Sequence, residues 1–479
     1  MARRVLSVAS ESAPLVKTGG LADVVGALPS ALRPLGWESR VLMPAYPGLA
    51  DQAESTRIQW ETDDLFGGPA RVLLGTFNDV EYLLLDAPHF FDREGGPYNV
   101  DGHDYPDNHM RFAALSWVGS RLAVEGTKDG WVPEVVHAHD WQAGLVPSYL
   151  KYAGTPVPSV MTLHNIAFQG IFGPDQLDRV NLPTWDFHPD ALEYHGTVSA
   201  LKAGMVHASA VNTVSPSYAR QIASPEWGFG LDGVIRMRAE RNEMFGILNG
   251  IDLRVWDPEN DPHVVPYSAS SQEGKKKNRK ALVAEFGLAK PQGPFAVVVT
   301  RLAHQKGIDM LIDAVPDYVA RGGSLAVLGS GDPGYESALH DLARRFPGSV
   351  GVRIGYDEPL SHRMYAGGDS VLVPSRFEPC GLTQMYGLRY GAVPIVAATG
   401  GLKDSVTHAS AENIENKTAT GITFSDISTH GLSEALAYST ELFAQKKVWR
   451  SILRRGMRTP VGWESSAQEY ADLFERLTA

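Results

Sequence analysis

Short runs of β-branched and apolar residues, each closed by turn residues and followed by an apolar repeat of helical period, recur along the chain. A first set comprises Val5–Ala9, Arg40–Met43, Arg71–Leu74, Tyr82–Leu85, Val135–His137 and Val160–Leu163. A second comprises Phe295–Thr300, Ser324–Leu328, Val350–Ile354, Ser370–Val373 and Pro394–Ala397. Strands alternating with helices predict parallel sheets covered on both faces, and the two sets predict two doubly wound, Rossmann-like α/β domains. The boundary falls near Asn249-Gly250-Ile251-Asp252, where the first set has ended and a polar stretch begins. The expected division is therefore 1–248, 249–457 and a terminal segment, 458–479. Within that segment Ala467, Tyr470, Ala471, Phe474 and Leu477 repeat at helical spacing behind a serine cap at Ser465. Such a helix has to bury one face, and packing back on the first domain is one option.

Composition narrows the class. With 479 residues, 43% apolar and 20% charged, the chain is too long for one core and ordinary for a globular protein. A net charge of -12 leaves nucleic acid an improbable partner. The one basic cluster, Lys275, Lys276, Lys277, Arg279 and Lys280, opens a predicted helix after a polar loop and reads as a solvated face. Cys380 is the sole cysteine, so no intramolecular disulfide can form and a reducing compartment is expected. Arg3 and Arg4 run straight into a strand too short for a signal-peptide core, and nothing approaches the roughly 20 apolar residues that span a bilayer. A cytoplasmic protein without a membrane partner is the expectation; oligomeric state is not legible.

Four segments carry residues suited to chemistry. Lys17-Thr18-Gly19-Gly20-Leu21-Ala22-Asp23 follows the first strand and opens the first helix. Adjacent glycines permit close backbone approach, a helix N-terminus favours phosphate, and Lys17 adds a full charge. A tight turn with a surface lysine would look the same, and neither G-x-G-x-x-G nor a Walker A loop is present. Arg301-Leu302-Ala303-His304-Gln305-Lys306-Gly307 lies at the carboxyl end of a strand, where open α/β sheets bind ligands. Arg301 and Lys306 there suit a diphosphate without a metal, the alternative being a surface loop with unpaired cations. Pro374–Thr383 repeats the pattern, with Glu378, Gly381 and Thr383 suited to sugar hydroxyls and phosphate, or with Glu378 as a helix N-terminal charge or salt-bridge partner. Cys380 has no His–Asp arrangement nearby that would make it a nucleophile.

The last constellation is His137-Ala138-His139-Asp140-Trp141 with Thr162-Leu163-His164-Asn165, each closing a strand. The His-x-His alternation places both imidazoles on one face. A metal site would need further ligands; a polar sugar-binding rim is the favoured reading, and buried structural imidazoles are the alternative. Tyr98, Trp141 and Tyr356 are candidates to stack on pyranose rings or a base, or simply to pack.

Taken in order, Lys17–Asp23, His137–Trp141, Thr162–Asn165, Leu248–Asp252, Arg301–Gly307 and Ser375–Gln384 span almost the whole chain and resemble the bacterial glycogen synthases, whose motifs plant starch synthases share. The resemblance implies a GT-B fold, two Rossmann-like domains facing across a deep cleft, with 1–248 on the acceptor side and 249–457 on the donor side. It implies ADP-glucose as donor, the non-reducing end of an α-1,4-glucan as acceptor, retention of configuration, and no metal or cofactor. By position it implies that Arg301 and Lys306 hold the donor diphosphate, with Lys17 and the Gly19 and Gly20 amides approaching it. Glu378 would orient the glucosyl unit, His164 and Asp140 would hold sugar hydroxyls near the anomeric centre, and Asn249 would assist. Tyr356 would lie against adenine, Tyr98 and Trp141 would face the glucan, and Asp23 would shape its loop. Cys380, Gly381, Leu382 and Thr383 would line the donor site. Many retaining GT-B enzymes carry a second glutamate eight positions after the first, where this chain has Tyr386; glycogen synthases resemble it in lacking that glutamate. A related transferase using UDP-glucose or another acceptor is the alternative.

Overall fold

The computed structural model describes residues 2–53 and 56–479. The chain divides into two compact units, Met1–Asn249 with Trp463–Ala479, and Gly250–Gly462.

In the first unit seven parallel strands run in the spatial order Met244–Gly246, Ala210–Thr213, Ser159–Leu163, Val135–His139, Arg3–Val8, Trp37–Pro44, Val80–Asp86. Ala70–Phe77 and Arg57–Thr62 extend this sheet antiparallel. The run Arg71–Leu74, expected among parallel strands, thus belongs to an antiparallel edge, since the tight connection Asn78-Asp79 before Val80 leaves no room for a crossover. Helix Gly20–Leu32 buries Leu21, Val24, Val25, Leu28 and Leu32. Its close seat requires Gly26, because a Cβ there would stand 2.2 Å from the Ala13 carbonyl oxygen.

The terminal helix, Glu464–Thr478, packs within this first unit. Ala467, Tyr470, Ala471, Leu473 and Phe474 are buried with Val24, Leu28, Leu32, Trp37, Val135, Val160 and Ala210. Ser465 is not its cap: Trp463 holds the N-cap position without a side-chain bond, and the Ser466 hydroxyl donates to the Leu248 carbonyl. The N-cap thus lies two residues before the expected serine, at Trp463, whose ring is buried.

A buried polar seam runs from this helix into the sheet. Asn212 Nδ2 donates to the Tyr470 hydroxyl at 3.0 Å and to Thr162 Oγ1 at 3.2 Å, and Thr162 Oγ1 lies 2.7 Å from His137 Nε2. The His137 and His139 rings are 4.0 Å apart, on one face of the strand. His139 continues to Ser7 Oγ and to His164 Nε2, both at 3.0 Å. His137 and His139 are buried rather than part of a sugar-facing rim, because the terminal helix covers the first and the neighbouring strands enclose the second. Burial pulls His137 down to about 3, and His139 well below the ordinary imidazole range, so both rings are neutral.

In the second unit six strands, all parallel, lie in the order Val350–Ile354, Ser324–Gly329, Phe295–Val299, Ser370–Val373, Val393–Ala397, Ile422–Phe424. The segment that leads into the unit is fixed by Trp256, whose ring stacks on His362 at 3.9 Å and on Tyr386 at 3.8 Å. Buried Asp261 receives His362 Nδ1 at 2.7 Å and the Tyr390 hydroxyl at 2.6 Å. Tyr386 is therefore occupied in packing.

The basic cluster is not uniformly solvated. Lys276 and Lys277 are exposed, Arg279 reaches Asp369 at 2.9 Å, and Lys275 is buried. The helix Glu273–Glu285 lies against Glu358–Gly367, and the third residue of its first turn faces that partner.

Two outcomes follow. Phe474→Ala removes a fully buried ring that closes the core of the first unit, and is expected to cost about 3–5 kcal/mol, read as a lowered urea midpoint. Below pH 6.5 the unfolded chain binds a proton that buried His137 refuses, so this residue withdraws about 1.4 kcal/mol of stability per pH unit as the pH falls. His137→Asn should flatten the stability profile between pH 6.5 and 5 by that amount; an unchanged slope would mean His137 is protonated in the fold.

Candidate functional site

In the first sheet the chain leaves Arg3–Val8 towards Trp37–Pro44, and leaves Val135–His139 towards Ser159–Leu163 on the other side. Between those strands lies the topological switch point, and loops leaving its carboxyl edge are where such sheets bind ligands. Glu11, in the loop after the first strand, turns its buried carboxylate inward. It accepts the Thr18 N–H, the Thr18 hydroxyl at 2.9 Å and the Tyr98 hydroxyl at 3.2 Å, while Tyr98 Oη is 2.7 Å from Ser10 Oγ. Burial raises the Glu11 carboxyl above its ordinary range, against the Thr18 bonds that lower it. This carboxylate shapes the Lys17–Gly20 loop, and sequence reasoning passed over it: one Glu between two serines has no pattern to distinguish it.

Gly19 and Gly20 are exposed, with open space where a Cβ would stand, and Gly19 caps the helix without a side-chain bond. The Gly19 N–H bonds Glu11, while the N-terminus of the helix that follows favours an anion. Lys17 Nζ lies 2.8 Å from Asp23 Oδ1, so a carboxylate within the first turn holds the ammonium beside the helix end.

Asp140 occupies φ 53°, ψ -172°, a conformation that a residue with a Cβ adopts only at a cost of order 1–3 kcal/mol. Strain of this kind collects at functional sites. Its Oδ1 accepts the His164 N–H at 2.7 Å and the Asn165 N–H at 3.3 Å, locking the loops after two adjacent strands together. Burial pushes the carboxyl up to about 7, with the negative field of Glu11 adding to it. A carboxyl in that range both accepts a proton from a hydroxyl and returns it. His164 is buried and pulled down to about 3; its Nε2 is committed to His139, and its Nδ1 has no hydrogen-bond partner among the described residues.

The aromatic candidates differ in exposure. Tyr98 is half-buried with its hydroxyl directed inward, so only the flank of its ring is offered. Trp141 is half-buried between Phe112, at 5.1 Å, and Gly170, where a Cβ would collide with the indole. Asn249 is buried, and its Oδ1 has no hydrogen-bond partner among the described residues.

The second unit repeats the arrangement. Its switch point lies between Phe295–Val299 and Ser370–Val373, and the loops that leave it hold Arg301, Lys306 and Glu378. Lys306 Nζ is 2.6 Å from Glu378 Oε2, which also accepts the Ser375 hydroxyl at 2.8 Å. The loops are stitched together: Arg376 donates both guanidinium nitrogens to Asp309, at 2.8 and 2.6 Å, and its N–H reaches the Gln305 carbonyl at 2.8 Å. Gly307 permits this, since its φ is 68° and a Cβ would sit 2.1 Å from the Pro374 oxygen. Arg301 is exposed, and its guanidinium has no ion-pair partner among the described residues.

Behind Glu378, buried Gln384 bonds the Cys380 carbonyl at 3.2 Å and the Gly381 carbonyl at 2.7 Å. Helix Thr383–Tyr390 starts at Leu382 without a side-chain cap, so its first amides point from the same loop that carries Glu378. Cys380 is buried, with Gly401 packed against its backbone. Tyr356 is 76% exposed, with its hydroxyl on Glu358 at 2.6 Å. Each unit therefore gathers positive charge, a helix N-terminus and a buried carboxylate at one sheet edge: Lys17 with Glu11 in the first, Arg301 and Lys306 with Glu378 in the second. Among the described residues no group of three His, Cys, Asp or Glu side chains is placed as metal ligands would be, and no helix is long and apolar enough to cross a membrane.

Comparison with known proteins gives the same direction. Residues 4–237 match the starch synthase catalytic domain and residues 283–438 match glycosyl transferases group 1. A glycogen synthase of Cereibacter sphaeroides is 54% identical over 477 residues, 99% of each chain. One from Roseobacter denitrificans is 51% identical over 478 residues, again 99% of each. The catalytic domain of starch synthase IV from Arabidopsis thaliana, solved with ADP and acarbose, superposes with a TM-score of 0.90 at 30% identity over 100% of both chains. Sucrose-phosphate synthase from Thermosynechococcus elongatus, at 16% identity and a TM-score of 0.61, shares the fold. With half of its residues shared along nearly its whole length, the chain belongs to the glycogen synthase family, glucosyltransferases of the GT-B fold.

Proposed function

We propose that the chain transfers glucose from ADP-glucose to the non-reducing end of an α-1,4-glucan, in the cytoplasm, with retention of configuration and without a metal. The observation that carries this reading is the Lys306–Glu378–Ser375 cluster, in loops that leave the same sheet edge as exposed Arg301, with the uncapped helix at Thr383. The bond to be broken is glucosyl–phosphate, and negative charge develops on the departing diphosphate. Fixed cations and backbone amides aimed at that charge lower the barrier without reorganising during the reaction. Lys17 and the Gly19 and Gly20 amides are assigned to the same diphosphate, and Tyr356 to the adenine.

Glu378 is read as an orienting group. Its Oε2 accepts from both an ammonium and a hydroxyl, which stabilises the carboxylate and blunts it as a nucleophile. The reading is therefore a same-face substitution in which the leaving phosphate takes the proton of the attacking glucan hydroxyl. Asp140 and His164, with Asn249, are assigned to the sugar hydroxyls near the anomeric centre, and Tyr98 and Trp141 to the glucan.

The deciding experiment is incorporation of labelled glucose into glycogen from ADP-glucose or UDP-glucose, in excess chelator. Preference for ADP-glucose with undiminished chelated activity is expected; preference for UDP-glucose, or abolition by chelator, rejects the donor or the metal-free part of the reading. Lys17→Ala should lower kcat/KM for the donor by about tenfold or more, the scale of one charge-assisted contact, and unchanged kinetics would remove Lys17 from the site. Glu378→Gln should lower kcat by about 100-fold or more, and a glucosyl group trapped covalently on Glu378 in the wild-type enzyme would replace the same-face scheme by a double displacement.

A further inference from the structure

Lys275 is the buried member of the basic cluster, and the donor site as described does not touch it. Its ammonium donates to the carbonyls of Tyr390 at 2.9 Å, Gly368 at 3.0 Å and Ala366 at 3.1 Å, with Tyr365 at 3.4 Å. No carboxylate pairs with it among the described residues, since Asp369 is engaged by Arg279. It also stands in the first turn of its own helix, Glu273–Glu285, where the helix dipole disfavours a cation.

The carbonyls it meets explain the position. Tyr365 and Ala366 lie in the last turn of helix Glu358–Gly367, with Gly368 just beyond, and Tyr390 ends helix Thr383–Tyr390. Both helices end there on carbonyls without intrahelical partners, and the Tyr390 carbonyl also accepts the Tyr267 hydroxyl at 2.7 Å. Each C-terminus carries about half a negative charge, so two together match one ammonium. Burial costs Lys275 its hydration and pulls it down to about 7, and the carbonyl dipoles replace that water.

The opposite ends of these helices face the donor loops. Glu358–Gly367 starts after Gly355-Tyr356, capped by Asp357. Thr383–Tyr390 starts from the loop of Glu378, Cys380 and Gly381. At 1.5 Å per residue the helices are about 15 and about 12 Å long, so Lys275 acts through them. We propose that Lys275 is a positioning residue for the donor: by tying two helix C-termini to one cation it holds the Tyr356 loop and the Glu378–Thr383 loop in a single register. The assignment rests on the donor reading above.

The test is binding of ADP by calorimetry, without glucan, to the full-length wild type and to Lys275→Met, which keeps the stem and removes the charge. The variant is expected to bind ADP about tenfold or more weakly and to show a raised KM for ADP-glucose, while its KM for glycogen stays within twofold. Lys275→Arg, which keeps the charge, should recover most of the ADP affinity. Because Lys275→Met can fail to fold, hydrogen exchange of the wild type supplies an independent reading: ADP should slow exchange at 364–368 and 388–391 together with the two donor loops. ADP bound equally by wild type and a folded Lys275→Met, or slowed exchange confined to the loops, overturns the role of Lys275. Failure of the wild type to bind ADP overturns the donor reading, and this inference with it.

Discussion

Each site depends on one constraint, a pair of adjacent parallel strands from which the chain departs in opposite directions. Between Arg3–Val8 and Val135–His139, and again between Phe295–Val299 and Ser370–Val373, no crossover covers the carboxyl edge. Loops from both strands converge there, and helices that follow them begin there. This is why Glu11 and Asp140 influence one another in the first unit, and why Lys306 and Glu378 meet in the second although 72 residues separate them. The chemistry is placed by the topology and then fixed by local bonds.

Those local bonds divide the work. Groups assigned to ligand are held by others that touch none of it: Glu11 shapes the Lys17 loop, Ser375 holds Glu378, the Arg376–Asp309 pair joins two loops, and Gln384 fixes the carbonyls behind them. Preorganisation of this kind suits electrostatic stabilisation of a leaving diphosphate, since dipoles already in place need not turn during the reaction. The strained backbone of Asp140 fits the same economy. Two amides from the neighbouring strand's loop hold its carboxyl in a conformation the residue would not otherwise keep.

The first-unit seam from Tyr470 through Asn212, Thr162 and His137 to His139 shows how a residue type misleads when its surroundings are absent. A His-x-His at a strand end suggests a ligand-facing pair, and alternation correctly puts both rings on one face. Whether that face meets solvent or protein depends on the terminal helix, which lies more than 300 residues further along the chain. Lys275 misleads for the same reason. Five cations in six positions read as a solvated stretch, yet one of them is directed at the ends of two helices that sequence does not place beside it.

By itself, the sequence determined what local chemistry and periodicity can decide. Apolar runs of strand length between helical repeats specify doubly wound α/β units, and motifs at the ends of those runs specify the loops that carry Lys17, Asp140, His164, Arg301, Lys306 and Glu378. It also specified the family, because six ordered motifs coincide by chance far less often than one. Tertiary structure alone decided which side chains are available. Strand order, the antiparallel edge of Ala70–Phe77, the seat of the terminal helix and the burial of His137, His139 and Lys275 all follow from contacts between distant segments. Burial sets the charge state of an ionisable group, and the sequence holds no local record of what will cover it.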